Sequence, residues 1–124
     1  MNDTATRTLV ERYLQGWNET DALRRRALVE EVYAEHAVYT DPMVQACGWE
    51  TIDATIAAVQ SMFPGHVFRL GGPVDAHHDM VRFQWHLFAP GADEPLVIGF
   101  DVAQLDDGRI RQVLGFLDKV PQVA

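Results

Sequence analysis

With Cys47 as its only cysteine, the 124-residue chain can form no internal disulfide and has neither a CxxC pair nor zinc-ligand spacing. That scarcity fits a reducing compartment. Basic residues are also few: ten Lys and Arg stand against eighteen Asp and Glu, and the net charge of −8 repels phosphate backbones and anionic membrane surfaces. Neither nucleic acid nor membrane is therefore expected as a partner. The longest basic run, Arg24-Arg25-Arg26, sits among Asp21, Glu30 and Glu31 in a helical pattern and reads as a solvated helix face. The opening MNDTATRTLVERY has no apolar signal core, and no apolar run approaches a membrane span, so a cytoplasmic protein is expected. There is no low-complexity run, which sets the chain apart from disordered and fibrous sequences.

What is present is enough apolar material for a real core, at 48% hydrophobic residues, and a length that holds one core. A single domain over residues 1–124 is expected. Leu9, Val10, Tyr13, Leu14 and Trp17 recur at three-four spacing and predict an amphipathic helix from Thr4 to Trp17. Thr20 can cap a second helix, whose stripe of Leu23, Ala27, Leu28, Val32 and Tyr33 runs to about Ala34. Ala37–Thr40 reads as a short strand stopped by Asp41-Pro42. Gly48 to Phe63 returns to helical spacing, and the Pro64-Gly65 turn ends it. Beyond it, strands are predicted at His66–Leu70, Val74–His78, Met80–Phe88, Leu96–Leu105 and Arg109–Val120, the last two joined by the Asp106-Asp107-Gly108 hairpin turn. Helices first and a meander afterwards argue an α+β fold, with three N-terminal helices on one face of a curved, mostly antiparallel sheet.

Alternation assigns the strand faces. Val81, Phe83, Trp85 and Leu87 share a face with Val97, Gly99, Asp101, Ala103, Val113, Gly115 and Leu117. Gly99 and Gly115 are expected to leave room for a ligand on that concave face. The opposite face carries Ile98, Phe100, Val102, Ile110, Leu114 and Phe116, too apolar to be left in water, so a homodimer through this outer sheet face is expected. His77 and His78 point to opposite faces of one strand and do not chelate together, so no metal is expected. Cys47 reads as a small buried residue.

The stretches YAEHAVYTDPM, GWETIDATIAAV and GFDVAQLDDGRI, the last followed by a final strand, resemble the nuclear-transport-factor-2-like superfamily, in particular its SnoaL-like polyketide cyclase and ketosteroid isomerase branches. The resemblance covers nearly the whole chain and implies a cone-shaped barrel. It also implies three catalytic candidates. Asp41 in TDP resembles the isomerase's general base. Asp101 in GFDV resembles its oxyanion-side aspartate and equally the acid/base aspartate of the cyclases. Tyr13 in RYLQGW resembles the oxyanion tyrosine, and Tyr33 a supporting tyrosine. The segment DALRRRALVEE is longer than the isomerase pattern, and Ile56 stands where that isomerase can carry another tyrosine.

Moving a proton next to a carbonyl needs a base near neutral range and donors aimed at the oxygen that becomes an enolate. In the isomerase scheme Asp101 is a neutral donor and Asp41 the base; in the cyclase scheme Asp101 itself is the acid or base. Neither scheme needs a cofactor. A small hydrophobic carbonyl ligand is expected in an apolar pocket lined by Trp17, Tyr33, Phe63, Phe68, Phe83, Trp85, Val97, Gly99, Val113 and Leu117. Structural readings stand beside these: Asp41 as a turn cap before Pro42, Tyr13 as a core tyrosine, and the whole chain as a non-catalytic ligand-binding or dimerisation domain. Epoxide hydrolysis in this fold needs an arginine between two aspartates; Arg82 points away from the pocket face, which leaves only Arg69.

Overall fold

A computed structural model describes residues 3–121. Ten elements follow one another: helix α1 (Asp3–Asn18), helix α2 (Ala22–Val32), strands β1 (Tyr33–Thr40) and β2 (Gln45–Cys47), helix α3 (Trp49–Met62), and strands β3 (Val67–Leu70), β4 (Asp75–His77), β5 (Met80–Phe88), β6 (Val97–Asp106) and β7 (Arg109–Lys119). The sheet runs in the order β2-β1-β7-β6-β5-β3, with β4 also paired to β5. Its pairings are antiparallel except for β1 beside β7. The sheet is curved and unclosed, and the three helices cover its concave face, so the expected α+β architecture is the observed one. No helix among the described residues is long and apolar enough to cross a membrane.

Burial follows the sequence pattern for α1, whose Val10, Tyr13, Leu14 and Trp17 all enter the core. Helix α2 departs from it in phase. Its buried stripe is Arg25, Leu28, Val29 and Val32, while Leu23 is 84% exposed and Asp21, not Thr20, caps the helix by accepting from the Arg24 amide. Arg25 leaves the expected solvated face because its guanidinium meets Asp53 of α3 at 2.9 Å and donates to Gln60 Oε1 at 3.1 Å. Gln60 in turn donates to the carbonyls of Trp17 and Glu19, tying α3 to the end of α1. The helix also ends earlier than expected, and β1 begins at once at Tyr33.

Strands β5 and β6 keep strict alternation, with Val81, Phe83 and Leu87 inward from one and Val97, Gly99, Asp101, Ala103 and Leu105 from the other. Strand β7 does not. Gln104 pairs with Gln112 but Leu105 pairs with Ile110, so Arg111 is an extra residue that reverses the facing of what precedes it. Ile110 is therefore buried in the core at 2% exposure, not on the outer face. Leu114 and Phe116 do stand outward, 41% and 61% exposed. Strand β2 was not read from the sequence, and Cys47 at its end is exposed, contrary to the expected burial. At the other edge, Asn18 closes α1 onto β3: its amide nitrogen donates to the Phe68 carbonyl at 2.8 Å and its oxygen accepts the Phe68 amide at 2.7 Å.

Candidate functional site

Register brings the two aspartates together. Asp101 lies mid-way along β6 opposite Gly115 of β7, and Thr40 of β1 lies opposite Leu114, so Asp41 arrives one residue beyond. A Cβ added at Gly115 would stand 2.9 Å from Asp101 Oδ1, 3.2 Å from the Thr40 carbonyl and 3.3 Å from Asp41 Cβ. The glycine thus makes room for the carboxyl pair. Gly99 makes room of another kind, since a Cβ there would lie 1.9 Å from the Trp85 indole. The space both glycines leave is filled by the protein's own side chains, not left open for a ligand.

Each aspartate has its own tyrosine. The Tyr13 hydroxyl donates to Asp101 Oδ2 at 2.7 Å, wholly buried between α1 and β6. The Tyr39 hydroxyl donates to Asp41 Oδ2 at 2.8 Å, while Asp41 Oδ1 accepts the amides of Met43 and Val44 at 2.8 and 3.0 Å. Asp41 is accordingly a turn cap as well as a cavity residue. Tyr39 escaped the sequence reading although the signal was there, because residues two apart on a strand share a face and Asp41 follows directly on β1.

Burial governs the charges. It pushes the Asp101 carboxyl up to about 6, against the opposing pull of hydrogen bonds from Tyr13 and Trp85, and the neighbouring Asp41 charge adds to the rise. Burial likewise holds the Tyr13 and Tyr39 hydroxyls well above their ordinary range, reinforced by the carboxylates, so both remain donors at neutral pH. The Trp17 indole N–H and the Tyr33 hydroxyl are buried without a well-formed partner. They approach each other closely enough for the indole to favour the phenolate, yet burial dominates and keeps Tyr33 protonated.

All of these but Tyr33 border an inner chamber of about 60 Å³ whose wall includes Tyr13, Trp17, Tyr39, Asp41, Phe68, Trp85 and Asp101. Leu14 and Val59 complete it. The chamber shares Asp41, Val59, Phe68 and Trp85 with an outer trough of about 580 Å³, where Phe63, Val97 and Leu117 lie. Tyr33, Phe83, Val113 and Gly99, expected on the pocket wall, line neither space. Tyr33, Phe83 and Val113 are packed core, where Phe83 meets the Tyr13 ring edge-on at 5.4 Å, and Gly99 lies beneath Trp85. Arg69 stands over the Phe88 ring and Arg82 pairs with Asp75, so neither serves the chamber. Among the described residues no group of three or more His, Cys, Asp and Glu is disposed to hold a metal ion.

A three-helix α+β domain with two tyrosine-paired carboxyls in an apolar chamber is the class that fold and site define. The SnoaL-like domain family matches residues 10–113, and the chain belongs to it. It is similar to a candidate isomerase of the SnoaL-like family from Agrobacterium tumefaciens, 43% identical over 93% of this chain and 98% of that one, with a TM-score of 0.88. A candidate SnoaL-like polyketide cyclase from Jannaschia sp. is 21% identical over 93% and 86%, with a TM-score of 0.76. A candidate ketosteroid isomerase from Kribbella flavida is 18% identical over 98% and 83%, with a TM-score of 0.70. These last two share the fold. No curated protein matches the sequence.

Proposed function

We propose that the protein catalyses cofactor-independent proton transfer next to the carbonyl of a small hydrophobic compound, with Asp101 as the group that takes and returns the proton. The observation that carries this is the buried Tyr13–Asp101 hydrogen bond at the chamber wall. A hydroxyl that donates into a carboxyl favours its ionised form, and burial lifts that carboxyl to about 6, where it is mostly ionised at neutral pH yet basic enough to accept a proton. Asp41 is the lesser candidate for base, because its oxygens are already engaged by one hydroxyl and two backbone amides. The cyclase assignment of Asp101 is thus favoured over the isomerase one, with Asp41 as its charged neighbour. When the proton leaves carbon for Asp101, charge builds on the carbonyl oxygen and needs donors. Once Asp101 holds the proton it no longer needs the Tyr13 hydrogen bond, and the single hydroxyl proton of Tyr13 is then free to turn from the chamber wall to that oxygen. The proton then returns to carbon or oxygen, with no net oxidation.

The test follows a small cyclic β,γ-unsaturated ketone by the absorbance of its conjugated product and by deuterium uptake at the α carbon in deuterated water. Wild type is expected to exchange the α proton, Asp101→Asn to lose about a hundredfold or more, and Asp41→Asn to lose less. Exchange that survives Asp101→Asn, or that Asp41→Asn alone abolishes, overturns the assignment. Absence of exchange in the wild type favours the binding-domain reading.

We further propose a homodimer through the outer sheet face, supported by Phe116 opposite Phe100 and Leu114 opposite Val102 with both β7 side chains exposed. Light scattering is expected to give twice the chain mass for wild type and the chain mass for Phe116→Asp. A wild-type monomer at micromolar concentration overturns it.

A further inference from the structure

The chamber is too small to be the whole binding site. Its volume of about 60 Å³ is about two waters' share of liquid, room for a carbonyl group and little more. A ligand that reaches Asp101 must therefore leave the rest of its body in the outer trough, which opens from the same four residues and is roughly the size of a small-molecule site.

The trough owes its width to helix α3. Thr51, Ala54, Thr55 and Ala58 fall at positions one, four, five and eight of a helical repeat and line it together. The neighbouring stripe of the same helix buries Ile52 and Ile56 in the core. The helix is thus anchored by large residues and presents small ones across the gap to Leu87, Val97 and Leu117 of the sheet. Ala54 and Ala58 remain exposed because nothing packs on them. Charge decides what enters. Two carboxyls border the tract, and no Lys, Arg or His lines either part of it among the described residues. An anionic head would meet Asp41 and Asp101 in an apolar setting without a compensating cation, a costly arrangement.

We propose that the trough is the subsite for the apolar tail of an uncharged carbonyl ligand whose head occupies the chamber, and that Ala58 is a specificity-determining residue that sets the width available to the tail. The inference rests on the proton-transfer reading only for the head being a carbonyl. Tail length, tail width and exclusion of anions are binding properties that stand apart from turnover.

Binding of straight-chain methyl ketones from ethyl methyl ketone to methyl nonyl ketone, read by tryptophan fluorescence, tests it. Affinity is expected to rise roughly fourfold for each methylene that enters the trough. Alkanoates of matching length are expected to bind at least tenfold more weakly than the ketones at neutral pH. Ala58→Phe is expected to abolish the gain with length while leaving the shortest ketone within twofold of wild type. Because Ala58 is exposed, the variant keeps its core, and Thr55→Leu on the next turn provides an independent narrowing. Asp101→Asn is expected to keep the length dependence while losing turnover. Affinity independent of length, equal binding of alkanoates, or an equal loss for short and long ketones in Ala58→Phe overturns the proposal. A wild type that binds by length without turning over removes the proton-transfer reading and leaves the subsite standing.

Discussion

Gly115 and Asp101 face each other across β7 and β6, and the hydrogen at the glycine's α carbon is what allows the Asp101 carboxyl its place. A methyl group there would stand 2.9 Å from Oδ1, with the Thr40 carbonyl and Asp41 Cβ closing the other sides. Two of those three neighbours belong to backbone or to a short, engaged side chain, so the yielding partner is Asp101 itself.

Gly115→Ala is accordingly expected to cost about 1–3 kcal/mol in chemical denaturation. Turnover should fall by more than stability does, since the displaced group is the proposed base. A variant as stable and as active as wild type would show that the pair relaxes freely.

The raised Asp101 value sets a direction for pH. The folded state holds this proton more tightly than the unfolded chain, with an ordinary value of 3.8 lifted to about 6. The contribution of Asp101 to stability is therefore fully present below about pH 4 and is lost as pH rises to about 6, by roughly 2–3 kcal/mol. Asp101→Asn should remove that slope in urea titrations run at successive pH values. In the same window kcat/KM should rise with pH, because the carboxylate is the active form.

Tyr13→Phe and Tyr39→Phe separate the two tyrosine–aspartate pairs. Loss of the Tyr13 donor removes a pull that holds the Asp101 carboxyl down, so the midpoint of the pH–rate profile should move upward. Tyr39→Phe leaves Asp41 its two backbone amides, so the turn should persist at a cost of about 1 kcal/mol with no such movement of the midpoint. A midpoint unmoved in Tyr13→Phe would sever the link between that hydroxyl and the titrating group.

The Arg25–Asp53 pair is nearly enclosed between α2 and α3, with side-chain exposures of 10% and 20%. Asp53→Ala strands a buried guanidinium and is expected to cost roughly 3 kcal/mol by urea denaturation. Replacing both residues with methionine should recover most of it, because the penalty lies in the uncompensated charge.

Punctuation made most of the fold legible. The Pro64-Gly65 and Asp106-Asp107-Gly108 turns and the alternation of β5 and β6 placed their elements within a residue or two of the structure. What escaped has physical reasons. A three-residue strand such as β2 carries no periodicity, and the extra residue Arg111 breaks the alternation that would assign Ile110. Arg25 looked solvated because only its partner on α3, distant in sequence, explains its burial. Asp101 stood out as a candidate because it lies mid-strand among apolar neighbours, whereas Asp41 before proline reads as an ordinary turn and became a candidate only through the family resemblance. Tyr39 was hidden by its ordinary place on a strand. The glycines of the concave face showed small volume but not what fills it, since a missing side chain admits a neighbouring indole as readily as a ligand.

The two-way amide clamp from Asn18 to Phe68 bears on how the molecule behaves in a crowd. Strand β3 ends the sheet, and the outward-facing amide and carbonyl of Phe68 are those that a strand from another molecule would use to dock. Asn18 satisfies both from within. This margin of the sheet therefore has no template to offer at Phe68, and concentrated protein should resist fibrillar stacking there until α1 frays and lets the asparagine go.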